Sequence, residues 1–107
     1  FSIQNTAVDG TLQIQSVAAA STENEICGTH VKGTLQFDNN ATATTIGTTS
    51  ASCPGNTIGG NLQVISNFDA VQVFDDTAGG NLQCLFNRSI TGDDDTARLL
   101  QGQCADF

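Results

Sequence analysis

The chain has 107 residues, three Lys or Arg against eleven Asp or Glu, and a formal net charge of −8 at pH 7. That length supports one domain with a modest core. Three scattered cations, Lys32, Arg88 and Arg98, cannot neutralise a run of phosphates. Nucleic acid is therefore excluded as a partner, as are anionic membrane surfaces. No apolar run reaches the length of a membrane span, so membrane insertion is not expected.

The opening residues, "FSIQNTA", carry no charged side chain, and residues 1–7 read as an N-terminal cap or assembly segment. The "FSIQNTAVDG" start has neither the basic residues nor the apolar stretch of a signal peptide, as in a mature chain from which one has been removed or in a cytosolic chain, and the cysteines decide between them. A repeat follows over residues 8–98. Four segments align without gaps: "VDGTLQIQSV" (8–17), "VKGTLQFDNN" (31–40), "IGGNLQVISN" (58–67) and "AGGNLQCLFN" (78–87). Leu12, Leu35, Leu62 and Leu82 share one column, at intervals of 23, 27 and 20 residues. Such periods belong to solenoids, in which one coil cannot bury its own face without a neighbour.

Within each segment the apolar period is two. Val8, Val31, Ile58 and Ala78 open it, the leucines stand four places later, and Ile14, Phe37, Val64 and Cys84 two places after those. The interleaved Thr11, Thr34, Asn61, Asn81 and the glutamines Gln13, Gln36, Gln63, Gln83 form an outward face. Alternation means a strand buried on one side, and each segment is read as one such strand. Twenty or more residues between equivalent positions favour a parallel stack over hairpins. The glycine column Gly10, Gly33, Gly60, Gly80 marks a bend or a close approach of coils. Asn40, Asn67 and Asn87 share a column in which stacked amides can bond from coil to coil. Weaker second strands are expected in "DAVQVFDD" (69–76), with Val71 and Val73 on one face, and in "NRSITGDDD" (87–95). The Thr/Ser/Ala-rich stretch 41–52 carries the insertion that lengthens its coil. Residues 99–107 depart from the repeat and close the stack, with Leu99 and Leu100 covering the bottom of the core.

Four cysteines in a short chain suit a disulfide framework and an oxidising compartment. Their intervals of 26, 31 and 20 lack the close pairs of a zinc site, and His30 is the only histidine. Cys27 precedes Val31 by four residues and Cys53 precedes Ile58 by five, which places them on neighbouring coils. Cys84 and Cys104 are one short coil apart. The register therefore pairs Cys27 with Cys53 and Cys84 with Cys104.

The elements "CGTHVKGTL", "CPGNTIGGNLQV", "GGNLQC" and "GQC" together resemble secreted β-helix repeat proteins found mainly in actinobacteria. The resemblance spans residues 27–104 and implies a right-handed parallel β-helix and export. Members of this kind are mostly of unassigned function, and no catalytic residue carries over. The chain departs from their pattern near its end, where "RLLQGQC" replaces a last Gly-Gly turn.

The aspartates Asp75, Asp76, Asp93, Asp94 and Asp95 are weak candidates for calcium ligands. Carboxylates on neighbouring coils repel unless something neutralises them. The run lacks the spaced ligands and placed glycine of a calcium loop, and a solvated acidic turn is the reading adopted. No nucleophile is paired with a base, so no catalytic residue is assigned and catalysis is not expected. His30 reads as an exposed strand-edge residue. Asn40 and Asn87 match the glycosylation acceptor pattern, but a ladder amide points inward, and the ladder is favoured. Phe37 belongs to the core, and Phe68, Phe74 and Phe86 fill core or corners. An outward threonine row for ice binding is not formed, because Thr11 and Thr34 give way to Asn61 and Asn81.

The expected protein is all-β: a right-handed parallel β-helix (β-solenoid) of four to five coils, stapled by disulfides. Its expected role is structural or adhesive and extracellular, with no cofactor. Partners would be further copies of itself, joined head to tail into filaments, or a cell-surface or extracellular polymer. A monomeric module binding a glycan, calcium or ice is the alternative, and a polysaccharide-active enzyme the remote one.

Overall fold

The computed structural model describes residues 1–19, 24–48 and 52–107. The tip of the expected insertion, residues 49–51, lies outside the described residues. Fourteen strands follow in chain order: β1 (Ser2–Gln4), β2 (Ala7–Val8), β3 (Leu12–Gln15), β4 (Asn24–Cys27), β5 (His30–Val31), β6 (Leu35–Asp38), β7 (Thr44–Gly47), β8 (Thr57–Ile58), β9 (Leu62–Ile65), β10 (Ala70–Phe74), β11 (Thr77–Ala78), β12 (Asn81–Leu85), β13 (Ser89–Asp93) and β14 (Leu99–Gly102). No helix occurs among the described residues.

Each strand pairs in parallel with the equivalent strand one coil on. Three sheets result: β1-β4-β7-β10-β13, β2-β5-β8-β11 and β3-β6-β9-β12-β14. The chain is a three-sided parallel β-solenoid. Its fifth turn has only a single bridge, Thr77 to Thr96, in place of a middle strand. The leucine column is observed as expected, with Leu12 opposite Leu35, Leu35 opposite Leu62, and Leu62 opposite Leu82. It continues to Leu100 opposite Leu82, so "RLLQG" is a further rung. At the other end Ser2–Gln4 is already a rung, paired with Glu25–Cys27.

One expectation is corrected. Val8, Val31, Ile58 and Ala78 do not share a strand with the leucines. They sit in β2, β5, β8 and β11, and the chain bends before the leucine strand begins. The bend lies at the glycine column, where coils approach closely. A Cβ on Gly60 or Gly80 would lie 3.0 Å from the carbonyl oxygen of Gly33 or Gly60 respectively. The Gly60 and Gly80 N–H groups donate to those same oxygens at 2.9 Å. This is why "GGNLQ" recurs. The two glycines let one coil's backbone lie on the next, the Leu points in, and the Asn and Gln point out.

The other two corners turn through residues in the left-handed region. Ser16, Asn39, Ser66 and Phe86 have φ of 59°, 57°, 56° and 58°, and Gly28, Asp75 and Asp94 have 58°, 60° and 58°. Left-handed backbone reverses the chain's course in one residue and aims the next side chain inward. Those next residues are Asn40, Asn67 and Asn87 at one corner and Thr29, Asp76 and Asp95 at the other.

The core fills the space between the sheets: Ile26, Ile46, Val71 and Val73 from the first, Val31 and Ile58 from the second, Leu35, Phe37, Leu62, Val64 and Leu82 from the third. The disulfides are Cys27–Cys53 and Cys84–Cys104, with Cα atoms 5.7 Å and 5.4 Å apart, as the register required. Each closes a loop of about one coil, worth about 3 kcal/mol on the chain-entropy model.

The aromatic expectation needs correction. Phe68 and Phe86 are 57% and 81% exposed, and only Phe37 is fully buried. Phe86 occupies a left-handed corner residue, whose side chain leaves the coil. Leu99 is likewise 53% exposed, because its partner in the ladder is the outward Asn81; Leu100 alone covers the core.

Candidate functional site

Two internal columns of polar side chains hold coil to coil. In the first, Asn40 Oδ1 accepts the Val17 N–H at 3.0 Å, Asn67 Oδ1 the Asn40 N–H at 3.0 Å, and Asn87 Oδ1 the Asn67 N–H at 3.1 Å. Each Nδ2 donates back to a core-strand carbonyl: Asn40 to Ile14 at 3.0 Å, Asn67 to Phe37 at 2.9 Å, Asn87 to Val64 at 2.7 Å. The column ends on Gln103, whose Oε1 accepts the Asn87 N–H at 2.8 Å and whose Nε2 donates to the Asn87 carbonyl at 2.9 Å. Asn40, Asn67 and Asn87 are buried, and this excludes glycan attachment at Asn40 and Asn87 in the folded chain.

The second column stands at the opposite corner. Asn56 Oδ1 accepts the Thr29 N–H at 3.0 Å, and Asn56 Nδ2 donates to the Ile26 carbonyl at 2.8 Å. Asp76 Oδ1 accepts both Asn56 N and Asn56 Nδ2 at 2.8 Å. Asp95 Oδ1 accepts the Asp76 N–H at 2.9 Å. The column therefore begins with an amide and continues with two acids.

The solvated-turn reading holds for Asp75, Asp93 and Asp94 and is corrected for Asp76 and Asp95. Asp75, Asp93 and Asp94 are exposed, Asp76 is 2% exposed and Asp95 half-buried, because alternate residues at a corner point outward and inward. Among the described residues, no three of these carboxylates bring oxygens within 4.8 Å of one another. Glu25 does lie beside Cys27 and Cys53, but those sulfurs are joined to each other. Burial pushes the Asp76 carboxyl up to about 8, against the lowering effect of the Asn56 bonds, with Asp95 and Asp75 adding repulsion. Burial likewise raises Asp95 to about 7, opposed by the Asp76 N–H and reinforced by Asp75, Asp93 and Asp94. Asp76 Oδ2 and Asp95 Oδ2 are buried without a hydrogen-bond partner.

The outer faces carry rows of like residues. Gln13, Gln36, Gln63, Gln83 and Gln101 stand in register on the third sheet. Gln36 Nε2 donates to Gln63 Oε1 at 3.0 Å. On the second sheet His30, Thr57, Thr77 and Thr96 form an exposed row, as expected for His30 alone.

The two ends differ. At the first coil Ile3, Val8, Leu12 and Ile14 are only half-buried, and the far edges of β1, β2 and β3 have no partner strand among the described residues. Residues 1–19 hold one charged side chain, Asp9, which pairs with Lys32 at 3.3 Å. At the last coil the tail folds back. Cys104 is bonded to Cys84, the Phe107 ring lies against Gly92, and a Phe107 oxygen accepts the Asp95 N–H at 3.4 Å.

Asn56, Gln103 and the threonine row, and the ladder role of Asp76 and Asp95, escaped the sequence reading. The signal was present. "NTI" (56–58) and "DTA" (76–78) precede the glycine bend at constant spacing, and "DTA" (95–97) holds the equivalent place before Arg98, so the repeat extends two residues upstream of the segments aligned.

Fold and corners together define a disulfide-stapled parallel β-solenoid braced by two internal polar ladders. Comparison with protein-family models, with curated proteins and with solved structures finds no match to this chain.

Proposed function

We propose that this chain is a non-catalytic structural or adhesive module of the extracellular space, and that it associates with its own copies through the first coil. The observation that carries the reading is the contrast between the ends. The first coil offers a half-buried apolar row beside unpaired strand edges, a combination that templates strand addition. It carries almost no charge, whereas the last coil and tail hold Asp93, Asp94 and Asp106 against Arg98. Two first coils meet without repulsion and two last coils do not. The tail covers part of the last coil, which favours pairing of first coils over a head-to-tail filament. Export is supported by the two disulfides and by the resemblance to secreted β-helix repeat proteins.

Sedimentation velocity over a wide concentration range tests this. The intact chain should form a dimer, and Leu12→Arg, with its charge on the open row, should remain a monomer. Long polymers that survive this substitution would return the head-to-tail reading. A monomer throughout would favour a monomeric binder, for which the amide row Gln13 to Gln101 is the extended surface on offer.

A further inference from the structure

We infer that Asp76 and Asp95 stand in the second ladder as neutral carboxylic acids in place of asparagine, so that two protons hold the last coils and rising pH releases them.

The inference starts from what the ladder position demands. Its occupant must accept with one atom and donate with the other. Asn40, Asn67, Asn87 and Asn56 all do this: Oδ1 takes a backbone N–H from the coil before, and Nδ2 donates to a core-strand carbonyl of that coil. Asp76 Oδ1 and Asp95 Oδ1 fill the accepting role. Their Oδ2 atoms occupy the donating place and have no partner. The register identifies what each should face. Asn56 Nδ2 meets the Ile26 carbonyl, and Ile26 is followed in its column by Ile46 and then Val73. Asp76 Oδ2 therefore belongs opposite the Ile46 carbonyl and Asp95 Oδ2 opposite the Val73 carbonyl. A Cβ on Gly47, next to Ile46, would lie 2.7 Å from Asp76 Oδ2 and 2.8 Å from Oδ1, so the carboxyl group sits beside the strand that the register names. A carboxylate there would set two acceptors against each other in a buried place. A carboxylic acid donates its O–H to the carbonyl and restores the pattern.

The charged groups around the pair all disfavour ionisation. Asp95 and Asp75 act on Asp76; Asp75, Asp93 and Asp94 act on Asp95. The tail contributes the Phe107 oxygen that takes the Asp95 N–H. Among the described residues no cation pairs with either carboxyl group; the salt bridge is Lys32–Asp9.

The sign follows from linkage. The folded chain holds both protons to higher pH than the unfolded chain, so it binds more protons between the two values. The stabilisation is complete below the ordinary carboxylate range and is lost as pH rises through neutrality.

The test uses the intact, disulfide-bonded chain. Carboxyl carbon chemical shifts of the wild-type aspartates are followed by NMR from pH 3 to 10, and melting temperature is read over the same range for wild type, Asp76→Asn, Asp95→Asn and the double variant. Two aspartate resonances should titrate above pH 6 and vanish in the double variant. The wild-type melting temperature should fall with rising pH, and the double variant should melt with a flatter profile and above wild type at pH 9. All aspartates titrating near pH 4 would overturn the inference, whatever the variants do. So would a double variant that keeps the wild-type slope. A wild-type melting temperature raised by added calcium at neutral pH, and lowered by chelator, would also overturn it, because a cation rather than protons would then hold the two oxygens.

Discussion

Phe86 takes the chain round a corner at φ 58° while 81% of its surface faces solvent. A bulky residue in left-handed backbone carries strain of about 1–2 kcal/mol, and its exposure means that little packing offsets it. Phe86→Gly should therefore leave the fold intact and raise stability by up to about 1 kcal/mol in chemical denaturation, glycine's larger unfolded-state entropy absorbing the rest. A loss of stability would show that the ring makes a contact that the isolated coil does not. The opposite holds at Gly47, where φ is 81° and a Cβ would lie 1.9 Å from the Phe74 carbonyl oxygen. The strand faces predict a second contrast. Leu62 is fully buried between Leu35 and Leu82, so Leu62→Asp should abolish the folded state. Gln63→Asp, one residue on, should fold normally by circular dichroism, since its side chain reaches only the glutamine row.

At the scale of the element, the ladders bind strands that the sheets alone would leave as short pairings. Asn67 satisfies the Asn40 N–H and the Phe37 carbonyl and meets amide groups on both sides. Asn67→Ala strands buried backbone groups and should cost about 3 kcal/mol in unfolding free energy. Removing the outer amide with Gln63→Ala should cost well under 1 kcal/mol. Equal losses would mean that the inner column is not the brace. The inner asparagines were legible in the sequence because three of them fall at one offset from the repeated leucines. The second ladder was not, because its members change from Asn56 to Asp76 and Asp95 and stand two residues upstream of the segments that align. Chemistry rather than identity is what repeats there: Asn56, Asp76 and Asp95 each accept a backbone N–H from the coil before. The three-sided section was hidden for a related reason. Residues on two different strands kept a spacing of four across the glycine bend, and even spacing imitates a single strand. Alternation reports which side chains point inward and is blind to a turn that preserves it.

For the whole molecule, the disulfides and the ends decide stability and association. Non-reducing peptide mapping should recover Cys27 linked to Cys53 and Cys84 linked to Cys104. Replacing Cys84 and Cys104 together by Ser should lower stability by about 3 kcal/mol, and should loosen the tail that closes the last coil. The first coil has no such closure. Its inner residues Ile3, Val8, Leu12 and Ile14 depend on whatever covers them. Amide hydrogen exchange at low and high protein concentration locates that cover directly. Pairing of first coils predicts that backbone amides of Ser2–Gln4 and Leu12–Gln15 exchange more slowly at high concentration, while those of Leu99–Gly102 do not change. Exchange independent of concentration at every strand, or slowing confined to Leu99–Gly102, would contradict association through the first coil.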